Sequence, residues 1–197
     1  MCALKTRMSR GKRRAVAGPE QILAAARAIG IRHGWSAVTI RSVAQKLGYS
    51  SPLLYQHFRD KQDVLTQIAV QALALLEAKL TENLPAPGAG AVLAMVERYW
   101  TFMLENKQLY RLMNGMDGVP IDRVVVSQSA GCFYKLIAEA VRPLTEPNGA
   151  DEKDLADELW ALLHGMAALY LDRGAQFDVT KASDASMRLI SGARAQT

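Results

Sequence analysis

Apolar residues along this chain recur at three- and four-residue intervals rather than in strict alternation, and that period predicts helices from end to end. Pro19 and Glu20 open a first helix with Ile22, Leu23, Ala26 and Ile29 on one face, and Gly34 closes it. Thr39, a good N-cap, opens a second that repeats Ile40, Val43, Ala44 and Leu47 and stops at Gly48. Ser50-Ser51-Pro52 caps and opens a short third helix through Phe58. Asp60 caps a long fourth, with Asp63 three residues on in the manner of a capping box.

The fourth helix is expected to reach Leu84 and to break in Pro85-Ala86-Pro87-Gly88. Further helices are expected over residues 91–106, 108–113, 121–141, 151–173 and 181–193, with a loop at 115–120 and a break at 143–150. Val124-Val125-Val126 is a β-branched run that disfavours the helix it sits in. No convincing strand pair, internal repeat or low-complexity stretch interrupts the pattern, so the fold class is all-α.

Charge divides the chain where the pattern does not. Residues 1–61 hold twelve of the twenty-four Lys and Arg but only two acids, Glu20 and Asp60, whereas residues 62–197 hold twelve bases against seventeen acids. A basic head on a mildly acidic body is the electrostatic footprint of nucleic-acid binding. Two cysteines, Cys2 and Cys132, in unrelated contexts form neither a disulfide framework nor a metal-ligand spacing, which fits a cytoplasmic protein. No apolar run approaches the roughly 18 residues of a membrane span, and the basic first eighteen residues lack the apolar stretch of a secretory signal. An enzyme is disfavoured: His33, His57 and His164 lack HExxH spacing, and neither a nucleophile elbow nor a phosphate-cradling loop occurs. No cofactor and no metal are expected.

A helix ending at Gly48, a tight turn and a short capped helix suggest a helix-turn-helix, whose second member enters the major groove. The residue set makes this specific. Thr39-Ile40-Arg41, Val43-Ala44, Leu47-Gly48-Tyr49-Ser50, Leu54-Tyr55-Gln56-His57-Phe58 and Asp60-Lys61 together resemble the N-terminal signature of the TetR family of transcription regulators. The resemblance covers residues 19–70. Beyond the basic tail that residues 1–18 form by their own charge, it implies a three-helix DNA-binding domain over 19–65 and a helical body over 66–197 for dimerisation and ligand binding.

Candidate DNA contacts follow from chemistry. Tyr55 and His57 carry polar tips suited to phosphate oxygens, and Thr39 caps its helix while facing the backbone. Lys61 opposes the dipole of the helix it opens unless an anion sits there, as a phosphate would. Arg41 and Gln56 suit guanine and adenine, and Pro52 and Leu53 suit thymine methyls; Ser51 shares their face. Family members often carry a basic residue at Ser51 and a glycine at Pro52, so the operator sequence stays open. The tail, with Lys5, Arg7, Arg10 and Lys12 to Arg14 short of an acid, either lies in the minor groove or is a solubility tail.

In the body, Trp160 followed by His164-Gly165 resembles the Trp-His-Gly motif of one branch of TetR C-terminal domains. The resemblance implies that the last two long helices pair with their copies. A small-residue stripe of Ala161, Gly165 and Ala168 permits close approach, and Leu189 and Ile190 lie on an apolar stripe of the last helix; intrachain packing is the alternative. Trp100, Met103, Tyr110, Met113, Phe133 and His164 are candidates for an apolar or aromatic effector, although such residues also serve as plain core. The expected function is a homodimeric repressor released from a palindromic operator by a small molecule. The rival is a helical scaffold whose basic head binds acidic partners without sequence preference.

Overall fold

The computed structural model describes residues 18–145 and 151–195. The expected basic tail lies, except for Gly18, outside them. Nine α-helices occur among the described residues: α1 Pro19–His33, α2 Ile40–Leu47, α3 Ser51–Leu54, α4 Lys61–Thr81, α5 Ala89–Glu105, α6 Lys107–Met113, α7 Arg123–Thr145, α8 Glu152–Arg173 and α9 Val179–Ala195. A single 3-10 turn, Trp35–Ala37, joins α1 to the approach of α2, and no strand is present among the described residues.

Local chemistry sets most of these ends. Thr39 Oγ1 accepts from the Ser42 N–H while Ser42 Oγ accepts from the Thr39 N–H, both at 2.9 Å, a reciprocal cap that starts α2. Gly48 ends α2 in the left-handed region at φ 70°, and the Tyr49 N–H returns to the Ala44 carbonyl. The Asp60 carboxylate accepts from the Asp63 N–H at 2.8 Å to start α4.

Two boundaries differ most from the pattern. The third helix is a single turn, Ser51–Leu54, after which bonds such as Gln56 N–H to the Leu53 carbonyl tighten the chain into three-residue turns. α7 runs through Pro143 to Thr145 instead of stopping before it: the proline forfeits the one bond its missing N–H would make to the Glu139 carbonyl, while Leu144 and Thr145 beyond it are buried. The same helix absorbs its valine run: Val126 is buried while Val124 and Val125 stay exposed.

α4 is the spine. It packs against α1 of the reader and against α5, α6 and α7 of the body, so the expected boundary at residue 65 falls inside one continuous helix. α7 packs on α8, α8 on α9, and α9 back on α5. Counting unbroken apolar runs understated two helices: α4 and α7 are each long and apolar enough, by length and composition, to cross a membrane. α4 turns Leu65, Ile68, Ala72, Leu76 and Leu80 into the core. α7 buries Phe133, Ile137 and Val141 and leaves Lys135, Glu139 and Arg142 exposed, the pattern of an amphipathic core helix.

Candidate nucleic-acid interface

The reader is built around Leu54 and Phe58. Both are buried, with Ile22, Ala26, Val43 and Ala44 of α1 and α2, and they lock the short α3 segment in place. What remains faces outward. Thr39 and Arg41 at the start of α2 are exposed, as are Pro52, Tyr55, Gln56 and His57 along the third segment. Tyr55, an aromatic ring left 57% exposed, has no core role. Leu53 is half-buried and packs against the core, and Ser51 is half-buried, so these two present less of themselves than expected.

Lys61 sits between two roles. Its ammonium donates to the Ser36 carbonyl at 3.0 Å, which brings the first turn of α4 beside the turn that enters α2. Partial burial lowers its pKa. The opposition to the helix dipole is thus eased within the chain by a carbonyl, and the remaining N–H donors of the ammonium suit a phosphate oxygen.

In the body, the expected effector residues Trp100, Met103, Tyr110, Met113 and Phe133 are all buried. An apolar cavity of about 20 Å³ lies between α4, α5, α7 and α8, lined by Leu80, Val92, Met95, Val96, Tyr99, Phe133, Ile137, Leu159 and Leu163. Phe133 is the one expected residue on its wall; Trp100, Met103 and Met113 are packed into the core instead. Tyr110 and His164 reach it through Tyr99, which belongs to the same aromatic and methionine cluster and lines the wall itself. The Tyr99 and Tyr110 hydroxyls share a hydrogen bond of 2.7 Å, and Tyr110 shares another of 2.9 Å with His164 Nδ1. Burial raises the pKa of both phenols and lowers that of His164, so each group keeps its neutral form at pH 7. Trp160 stacks on His164 at 5.7 Å and meets the edge of Phe133 at 4.6 Å.

On the outer side of α8, Ala161 is exposed and Gly165 and Ala168 half-buried, so the small-residue stripe is open on the protomer. Leu189 is half-buried, whereas Ile190 is only 2% exposed. Ile190 is therefore a core residue and not part of an open face: α9 leans on α5, and a position one residue on from Leu189 turns about 100° inward.

Two family models match the chain. That of the bacterial regulatory proteins of the tetR family covers residues 22–68, and that of the tetracyclin repressor-like C-terminal domain covers residues 92–192. The chain belongs to the TetR family. It carries the TetR-type fold of a DNA-binding transcriptional regulator and is not an enzyme. A search of the curated proteins finds no match.

Among solved structures, a protein of unknown function from Rhodococcus sp. RHA1 is similar at 23% identity and TM-score 0.74, over 92% of this chain and 98% of that one. A transcriptional regulator from the same source aligns at 16% identity and TM-score 0.69, over 89% of this chain and 95% of that one. The TetR family transcriptional regulator PfmR from Thermus thermophilus aligns at 20% identity and TM-score 0.57, over 86% of this chain and 96% of that one. At these identities the likeness is one of fold.

Proposed function

We propose that this TetR-family protein is a homodimeric repressor that reads a palindromic operator in the cytoplasm and leaves it when a small apolar or aromatic molecule binds the body. The observation that carries the reading is the division of labour within residues 39–58. Val43, Ala44, Leu54 and Phe58 are spent on packing, while Arg41, Tyr55, Gln56 and His57 stand exposed without a core role. Arg41 and Gln56 are assigned to bases, Thr39, Tyr55, His57 and Lys61 to the backbone, and Pro52 to apolar contact, with Ser51 and Leu53 beside it. The open stripe Ala161-Gly165-Ala168, with Leu189, is assigned to the dimer.

The effector class follows from the cavity. No charged side chain lines it, and the only polar residue on its wall, Tyr99, has its hydroxyl committed to Tyr110. Its volume of about 20 Å³ is that of a single water molecule's site, so a ligand binds by selecting an opened form of the core. Such a ligand lowers operator affinity to the extent that it prefers the opened form, by about 5–150-fold for a typical coupling.

Footprinting of a selected site by wild type, Arg41→Ala and Gln56→Ala tests the assignment. Each substitution is expected to cost roughly 1–3 kcal/mol on that site and to relax preference at particular base pairs. Protection without two-fold symmetry, or equal protection of all sequences, would favour the scaffold reading instead.

A further inference from the structure

Three consecutive residues at the entrance to the helix-turn-helix each tie it to a different helix. The Trp35 indole N–H donates to the Gln108 carbonyl of α6 at 2.9 Å. The Ser36 carbonyl accepts from Lys61, the first residue of α4, at 3.0 Å. The Ala37 carbonyl accepts from Ser42 Oγ of α2, also at 3.0 Å. Trp35 is 1% exposed, and its ring fills the space a side chain at Gly30 would occupy, so α1 holds the ring from the other side. Two residues beyond Gln108 on α6, the Tyr110 hydroxyl is bonded to Tyr99 and His164 at the wall of the apolar cavity. A single short helix thus carries the tie to the reader and the tie to the effector core.

We propose that Trp35 is a positioning residue for operator binding: its N–H, donated to the Gln108 carbonyl, fixes the angle of α2 and α3 to the body. The inference rests on the reading of the chain as a dimeric operator-binding regulator. Arg41 and Gln56 are the groups that read; Trp35 acts through them. In a dimer, the two readers must match grooves roughly 34–36 Å apart, so a reader held at one angle accepts one half-site spacing. A reader cut loose from α6 samples several angles, binds the best spacing less well and discriminates less against its neighbours. The bond is directional, buried at the tryptophan end and placed where the reader meets α6 of the body, which is where one hydrogen bond can govern an angle.

The test replaces the indole nitrogen alone. Site-specific incorporation of the benzothiophene analogue of tryptophan at position 35 keeps the ring's shape against Gly30 and deletes the donor; Trp35→Phe serves as a second variant. Both are measured against DNA selected from a random pool by the wild-type protein, rebuilt with the half-sites moved one and two base pairs closer and further apart. Thermal melts of each protein accompany the measurement, so that a variant that fails to fold is identified and the other is used. The expected result is a loss of about fivefold at the best spacing, with a smaller loss at the neighbouring spacings, so that the profile flattens. A profile of unchanged shape, whether unshifted or lowered equally at all spacings, overturns the proposal and leaves Trp35 a packing residue. If the wild-type protein itself shows no preferred spacing, the operator-binding reading falls and the inference with it; a sharp wild-type optimum beside an unchanged variant profile removes the inference alone.

Discussion

Replacing Gly165 by leucine separates the protomer from the dimer. A Cβ built at Gly165 meets nothing within 4 Å, so a side chain there projects into open space on the protomer. The residue lies mid-way along α8, where glycine costs about 1 kcal/mol relative to a good helix former, so leucine is expected to raise the intrinsic stability of that helix. Between subunits the sign reverses. Close packing on Ala161, Gly165 and Ala168 leaves no room for four added carbons, and overpacking typically costs about 1–3 kcal/mol. Two-fold symmetry enters the substitution twice, which makes about 2–6 kcal/mol and weakens the dimer at least about thirtyfold. Sedimentation equilibrium over a concentration series reads the dimer constant, and circular dichroism confirms that the helix content is intact. A Gly165→Leu protein that dimerises as tightly as wild type would refute the placement of the interface. One that loses helix content as an isolated protomer would refute the open geometry at Gly165.

Thr39→Ala removes one half of the reciprocal cap on α2 and is expected to destabilise the protein by about 1 kcal/mol in chemical denaturation. Lys61→Ala is expected to weaken binding to all DNA sequences alike and to flatten the salt dependence by about one unit of slope; an unchanged slope removes Lys61 from the backbone contacts. Tyr110→Phe strands the Tyr99 hydroxyl and His164 Nδ1 and is expected to cost about 1–3 kcal/mol of folding stability, read from the denaturation midpoint. Burial lowers the pKa of His164 below its ordinary 6.5, so the unfolded chain takes up a proton at higher pH than the folded one. The contribution of His164 to stability is therefore complete above about pH 6.5 and is lost as pH falls toward its folded value; the slope in that window is expected to shrink in His164→Gln.

The reader was legible from the residues because its chemistry is local. The Thr39 cap, the Gly48 stop and the capping Asp60 all act within a few positions of themselves, and each takes the role its neighbours predict. The third helix is shorter than its pattern predicts because Ser50-Ser51-Pro52 signals where a turn starts and not how soon it tightens. In the body, periodicity distinguishes an inner from an outer face but does not say which neighbour covers it. Ile190 and Leu189 share an apolar stripe in the sequence, yet one is buried in the core and the other stays half-open. The same limit applies to the aromatic cluster: Tyr99 and Trp100 are adjacent in sequence, and only the packing of α4, α7 and α8 decides that Tyr99 lines the space. The bond from Trp35 to Gln108 links residues 73 positions apart, with no local signal at either end.

Binding-site selection with the purified protein on fragmented genomic DNA addresses the central claim most directly. The account predicts enrichment of a two-fold symmetric motif whose half-sites lie roughly 10 base pairs apart, centre to centre, or a multiple of that, with the enrichment surviving added salt better than bulk binding does. Retention of all fragments in proportion to their length, vanishing uniformly as salt rises, would contradict it and leave a basic head that binds polyanions without reading them.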